Sequence, residues 1–191
     1  MFWETLDRCH CLADHYPHSI QVRDGNLFSV RPVTTDDREH LNDYLQSVPA
    51  DEQLFLRHDV SLIAEQLCDH VNSLHSLSLL LLIRDPADRV VADGMLYQEP
   101  GLWTMHIGKL RLFVHPQMRG QGIGTGIIDD LLAAGRMVGL NKVVAECPAT
   151  QPQMMSLLSN RGFIDVARLP EFIKDRKDRL HDMVLMVHDL K

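Results

Sequence analysis

The stretch Leu110-Arg-Leu-Phe-Val-His-Pro-Gln-Met-Arg-Gly-Gln-Gly-Ile-Gly-Thr-Gly126 decides how this chain reads. An apolar run ends at His115-Pro116 and passes through three alternate glycines, Gly120, Gly122 and Gly124. It then enters a helical pattern with Ile123, Ile127, Ile128, Leu131, Leu132 and Ala134 on one face. A strand therefore feeds a helix through a glycine turn. Glycine lets a backbone approach a bulky ligand closely, and the first N–H groups of a helix have no partner of their own. The helix dipole favours an anion at that end by roughly 0.3–1 kcal/mol per charge. Arg119 adds a planar cationic fork suited to phosphate. The segment reads as a cradle for a polyanion. It is not a dinucleotide loop, because the sixth position of a G-x-G-x-x-G pattern begun at Gly120 is Thr125. Nor is it a Walker A loop, since no Lys-Ser/Thr pair follows the second glycine.

Upstream, residues 4–16 read as a short helix stopped by Pro17. Ser19 to Arg31 alternates around Asp24-Gly25, a hairpin signal. Thr34 or Thr35 caps a helix with Asp36 and Asp37 in its first turn, Leu41, Tyr44, Leu45 and Val48 on its buried face, and Pro49 at its end. A second helix is expected over Ser61 to Leu74. The period then changes to that of strands: Leu77–Arg84 and Arg89–Tyr97 around the turn Asp85-Pro86-Ala87-Asp88, then Met105–Val114. Beyond the helix that Gly139 closes come a strand at Lys142–Glu146 and a helix from Pro152 to Arg161 that Gly162 ends. Two strands follow, Phe163–Phe172 and Leu180–Val187, around the charged turn Lys174–Arg179. The expected class is α/β, one domain with a mixed sheet. Residues 1–27 form an N-terminal extension and 28–191 the main domain.

Composition narrows the possibilities further. The chain has 191 residues, 45% of them apolar and 24% charged, enough for a core without disulfide or metal staples. Nineteen Lys and Arg against 26 Asp and Glu give a formal charge of −7, which argues against a diffuse nucleic-acid surface. The longest apolar run, Leu77–Ile83, is broken only by Ser78 and is too short to span a bilayer. Met1-Phe2-Trp3-Glu4 has no basic leader or apolar core, and four cysteines do not make a disulfide scaffold, so a cytoplasmic location is expected.

Arg119-Gly-Gln-Gly-Ile-Gly124 matches R/Q-x-x-G-x-G/A, the coenzyme A pyrophosphate loop of the GCN5-related N-acetyltransferase (GNAT) superfamily, and the chain resembles that family over most of its length. Val30-Arg-Pro-Val-Thr-Thr-Asp36 resembles its opening strand and first helix, Pro116–Leu132 its core motif, and Ala145 to Arg161-Gly-Phe163 the next strand and helix. Asp182–Leu190 resembles the closing strand. The Asp24-Gly25 hairpin and the Lys174–Asp182 ending are similar to a bacterial branch akin to protein-lysine acetyltransferases.

The resemblance implies a single α/β domain in which acetyl-CoA and an amine bind together and the amine attacks the thioester directly. The strand at Leu110–Val114 is then expected to splay from Lys142–Glu146. Backbone groups of Leu112 and Val114 bind pantetheine, and an N–H near Phe113 polarises the carbonyl. Amides of Gly120, Gln121, Gly122, Ile123, Gly124 and Thr125, together with Arg119, hold the pyrophosphate. The family often forms homodimers and needs no metal.

Three positions depart from the family's pattern. Lys109 stands where a carboxylate often serves as base, Leu158 where a Tyr often protonates the thiolate, and Gln151 where an Asn often contacts coenzyme A. Substitute bases are Glu146 at the strand end and His106 through water, with His181-Asp182 a third pair. Lys109 also suggests a carboxylate-bearing acceptor, a small amino-acid-like amine as well as protein lysine. A chain with these departures could instead be an acetyl-CoA-binding sensor or interaction module. Cys9-His-Cys-x3-His15-x2-His18 has metal-compatible residues but no second knuckle, so no metal is expected there. Cys147 reads as a buried strand cysteine and not a nucleophile.

Overall fold

The computed structural model describes residues 12, 14–49, 52–55, 78–99, 101 and 103–191. The helix expected over 4–16 lies outside them except for Leu12 and residues 14–16, and the one over 61–74 lies outside them entirely. The strands are β1 (His18–Gln21), β2 (Leu27–Pro32), β3 (Ser78–Arg84), β4 (Val90–Tyr97), β5 (Ile107–Val114), β6 (Lys142–Pro148), β7 (Ile164–Lys174) and β8 (Leu180–Asp189). Among the described residues three α-helices accompany them: α1 (Arg38–Ser47), α2 (Ile123–Met137) and α3 (Pro152–Ser159). The strands form one sheet in the order β1-β2-β3-β4-β5-β6-β8-β7. All neighbours are antiparallel except β5 and β6, which are parallel because α2 crosses between them. This is the mixed α/β sheet that the sequence predicts, and β1 and β7 are its edge strands.

The central strands are apolar on both faces because both are covered. On one face α2 and α3 place Ile123, Ile127, Ile128, Leu131 and Leu158 against Leu81, Ile83 and Leu96. On the other, Leu41, Tyr44 and Leu45 of α1 pack on Leu80, Leu82 and Met95. Gly94 of β4 lets α2 approach: a Cβ there would sit 2.3 Å from Ile127 Cγ2. The β5 strand starts two residues later than the sequence suggests, since Thr104 and Met105 belong to a turn and Met105 is exposed. α2 ends as read, with Gly139 at φ +74° and the Leu140 N–H donating to the Gly135 carbonyl.

The β3–β4 and β7–β8 turns use the same chemistry twice. Asp85 accepts from the backbone N–H groups of Ala87 and Arg89 and from Arg89 Nε. Asp175 does the same with Lys177, Arg179 and Arg179 Nε. In each turn an aspartate, Asp88 or Asp178, occupies the left-handed region, which this residue tolerates better than most.

At the start of α1 a buried charge cluster fixes the chain. Asp37, 1% exposed, takes Arg31 Nη2 and Arg84 Nη2 at 2.5 Å each and the Thr34 N–H at 2.8 Å. Burial alone would raise the Asp37 carboxyl, but the hydrogen bonds from Arg31 and Thr34 and the Arg31 charge hold it well below the usual carboxylate range. Its contribution to stability is therefore complete above its unfolded pKa, about 3.9, and is lost as pH falls through the lower folded value. Asp37→Asn leaves the buried Arg84 guanidinium without its counter-charge. We expect a loss of about 3–5 kcal/mol in urea unfolding at pH 7, shrinking as the wild type is acidified below pH 4.

Candidate functional site

β5 and β6 pair only over Ile107–Leu110 and Lys142–Ala145. Past that point β5 stays with β4 as far as Val114, and β6 stays with β8 as far as Pro148. The two halves of the sheet part. Hydrogen-bonding direction alternates along a strand, and the His115 N–H donates to the Val91 carbonyl on the β4 side. Leu112 and Val114 therefore turn their N–H and C=O groups toward the opening. The cause lies partly in Pro148. Continuing the β5–β6 register, the Leu112 carbonyl would meet the Pro148 nitrogen, which carries no hydrogen. The opening is a cleft of about 120 Å³ whose walls include Leu112, Phe113, Glu146, Cys147, Gln151 and Met154.

This alternation corrects one sequence expectation. The N–H of Phe113 belongs to the β4 ladder, so the cleft-side donors are those of Leu112 and Val114. The Phe113 carbonyl also accepts from the Tyr44 hydroxyl at 3.2 Å.

The glycine turn stands at the mouth of the cleft. Gly120 and Gly122 have φ of +78° and +91°, conformations that side chains disfavour, and Gly122 is the N-cap of α2. The first helical bond runs from the Gly126 N–H to the Gly122 carbonyl. Among the described residues the N–H groups from Gly120 to Thr125 have no acceptor, so six donors cluster at the positive end of a 15-residue helix. Gly124 has a different task from the other two. A Cβ there would lie 3.0 Å from Leu157, so it is small to let α3 pack against α2. The N-terminal hairpin braces the turn, with the Arg23 N–H donating to the Gln121 carbonyl at 2.9 Å.

Arg119 does not project freely. Its guanidinium pairs bidentately with Glu52 at 2.9 and 2.7 Å, its Nε donates to the Val114 carbonyl at 3.2 Å, and it lies 5.8 Å from the Phe113 ring centre. Glu52, which no spacing in the sequence links to residue 119, thus competes with any phosphate for this cation.

The other side of the cleft, under α1, carries a second set of charges. Lys109 Nζ bridges Glu99 at 2.5 Å and Glu146 at 3.1 Å. Partial burial would lower the Lys109 ammonium, but hydrogen bonds to the two carboxylates outweigh it and hold the group above its ordinary range. Glu146 is not the strand end that the sequence suggests, since β6 runs on to Pro148; it stands where β5 and β6 part, in an ion pair. The charge on Lys109 is already matched, which removes the reason to infer a carboxylate-bearing acceptor from it. Beside this pair, Asp93 is buried, with Arg111 Nη2 at 3.3 Å. Burial pushes the Asp93 carboxyl up against the lowering effects of Arg111 and Tyr44. The sequence held a signal for this pair: one acid within Val90–Tyr97 and one guanidinium within Leu110–Val114, each amid apolar residues.

The remaining candidates divide clearly. Gln151 is at the N-cap of α3 and lines the cleft. Leu158 is wholly buried in the core and can protonate nothing. His106 is exposed in the turn before β5, at the opposite end of that strand from the opening, and its assignment as a base is withdrawn. Four strand steps from Ile107 to Arg111 span about 13 Å, too far for transfer through one water. His181 bonds Asp175 at 2.9 Å while Asp182 bonds Arg168, so they are not a catalytic pair. Cys147 is buried in β6. No helix among the described residues is long and apolar enough to cross a membrane.

The sheet opens between its two parallel strands beside a helix whose N-cap is a glycine. Residues 40–163 match the model of the Acetyltransferase (GNAT) family, and the chain belongs to that family. No curated protein matches the sequence. Among solved structures, the GNAT domain of PAT from S. lividans superposes with a TM-score of 0.75 at 18% identity, covering 92% of this chain and 97% of its own. RimJ from Mycobacterium smegmatis, in complex with CoA-disulfide, gives 0.72 at 15% identity, covering 91% and 86%. The putative acetyltransferase yncA from Salmonella typhimurium, with its cofactor acetyl-CoA, gives 0.62 at 18%, covering 86% and 94%. At these identities the likeness is one of fold.

The Glu52–Arg119 pair is testable by itself. Glu52→Gln releases the guanidinium, and calorimetry should show coenzyme A binding several-fold more tightly at low salt. The gain should fade as salt screens these exposed charges.

Proposed function

We propose that this protein is an acyl-CoA-dependent N-acyltransferase that moves an acetyl group from acetyl-CoA to a primary amine by direct attack. The observation that carries this reading is the parting of β5 from β6 beside the unpaired amides of residues 120–125. Those amides, with Arg119, suit the pyrophosphate, and the cleft-side groups of Leu112 and Val114 suit an extended amide-bearing chain. Arg23 lies beside the same turn. Gln151 and Met154 line the inner end of the cleft.

In the reaction, the amine nitrogen forms a bond to the thioester carbonyl carbon and the carbon–sulfur bond breaks, giving an amide and the coenzyme A thiol. The N–H of Leu112 or Val114 is aimed to stabilise the oxyanion that forms between these events. Holding both reactants in one cleft replaces a bimolecular encounter with a local one. The amine must first lose a proton. For a lysine of pKa about 10.4 at pH about 7.4 this costs roughly 4 kcal/mol, against well under 1 kcal/mol for an α-amine near 7.8. Glu146, where the strands part, is the proposed acceptor of that proton through water, and its ion pair with Lys109 makes it a weak base. A small amino-acid-like amine, or another amine of low pKa, fits this weakly basic site better than a lysine side chain does.

Two features favour a second reading, in which the chain binds acetyl-CoA as a sensor: Leu158 stands in the core where an acid would act, and Glu146 is held by Lys109. The two readings separate in one experiment. Thiol release is followed with acetyl-CoA against amino acids, polyamines and lysine peptides. Turnover with any amine supports the enzyme; tight binding with no thiol release across the panel supports the sensor. If proton loss from the amine limits the rate, kcat/KM should rise about tenfold per pH unit and level off near the acceptor's own pKa, about 8 for an α-amine and above 10 for lysine. Gly122→Asp places a strained carboxylate in the amide cluster and should weaken acetyl-CoA binding at least 100-fold in calorimetry. Unchanged binding in that variant would overturn the cofactor assignment.

A further inference from the structure

Two turns into α2 from the glycine turn, Asp130 is 7% exposed and meets two histidines from the start of the N-terminal hairpin. His15 Nε2 lies 3.4 Å and His18 Nε2 3.1 Å from the same carboxylate oxygen, Oδ1. The three donor atoms all lie within 4.8 Å of one another. A tetrahedral zinc ion with bonds of about 2.0–2.1 Å has ligand–ligand edges of about 3.3–3.4 Å. Two of the three edges are therefore already close to that length, and the third needs only a small swing of partly exposed rings.

Hydrogen bonding alone uses these groups poorly. Oδ1 receives both imidazoles, while the buried Oδ2 has no partner among the described residues. His18 Nδ1 and the Tyr16 hydroxyl are likewise buried without partners there. The Tyr16 ring packs edge-on against both histidines, 4.9 Å from His15 and 5.4 Å from His18 between ring centres.

We propose that His15, His18 and Asp130 form a structural site for a zinc-type divalent cation that ties the N-terminal hairpin to α2. Two neutral imidazoles and one carboxylate suit zinc over magnesium or calcium, which prefer oxygen throughout. The imidazole side chains are 31% and 29% exposed, which leaves an entry path and room for water as the fourth ligand. The site is separate from the transfer chemistry, which needs no metal. It acts on the cleft only by support: in the same hairpin Ile20 packs on Gly126, and Arg23 donates to Gln121 of the glycine turn. The third ligand lies 115 residues from His15, so no sequence spacing contains the set.

The test uses the full chain without an affinity tag, stripped with EDTA and dialysed. Titration with zinc chloride should show one equivalent bound at micromolar affinity or tighter, with no heat from magnesium chloride. Cobalt(II) should give the visible absorption of a tetrahedral site. Asp130→Asn and His18→Ala should bind zinc at least 30-fold more weakly, and zinc should raise the Tm of the wild type but not of these variants. Acetyl-CoA binding by Asp130→Asn should stay as in the wild type, which reports that the variant is folded. If it does not fold, His15→Gln, at a partly exposed position, replaces it. Absence of stoichiometric zinc binding, or equal binding by wild type and folded variants, would overturn the site.

Discussion

The structure turns on the point where two parallel strands stop sharing hydrogen bonds. Beyond Leu110 and Ala145, β5 and β6 are each held from outside, by β4 and β8, and have no hold on each other. An interior strand edge with free peptide groups is normally a liability, because such groups seek partners. Here the edge faces a cleft, where Leu112 and Val114 can offer those groups to a ligand chain. Pro148 helps keep the edge open by removing one donor from the register that would close it. The glycine turn and α2 then set a cluster of amides beside that opening. Both features depend on backbone groups, which explains how side chains around the cleft can depart from the family's pattern while the architecture stays.

Charge is distributed around this opening in matched sets. Asp37 is locked by Arg31 and Arg84, Asp93 by Arg111, Glu146 by Lys109, and Arg119 by Glu52. The first set is deep and structural, since removing one partner would leave a buried charge. The last is partly exposed, with side chains 47% and 31% accessible, and water and salt weaken it. A polyanion arriving at the glycine turn would compete with Glu52 under those weakened conditions. The Lys109–Glu146 pair lies between these extremes and sets how basic the floor of the cleft can be.

Much of this was legible in the primary structure, and the reasons are local. Ile123, Ile127, Ile128 and Leu131 recur at helical spacing because one face of α2 is buried, and all four are in the core. Gly122 and Gly139 mark the ends of that helix because each takes a left-handed conformation there. Leu80 to Ile83 form an unbroken apolar run because helices cover both faces of β3. Asp85 and Asp175 announce their turns through bonds only two to four residues long. What could not be read is every pairing across long separations. Glu52 with Arg119, Asp93 with Arg111, and Lys109 with Glu146 depend on how strands and loops stack in space. His106 illustrates the reverse error: close to Lys109 in sequence, it lies at the far end of the strand from the opening.

By itself, then, the order of amino acids determined the alternation of helix and strand, the glycine turn with its unpaired amides, and the resemblance to the GNAT family. Backbone preference and hydrophobic period act over a few residues and survive in any context that folds. Only the tertiary structure decided which amides face the cleft, which cations are already neutralised, and that His15, His18 and Asp130 meet. Those outcomes depend on strand register and helix packing, where a shift of one residue exchanges the two faces of a sheet.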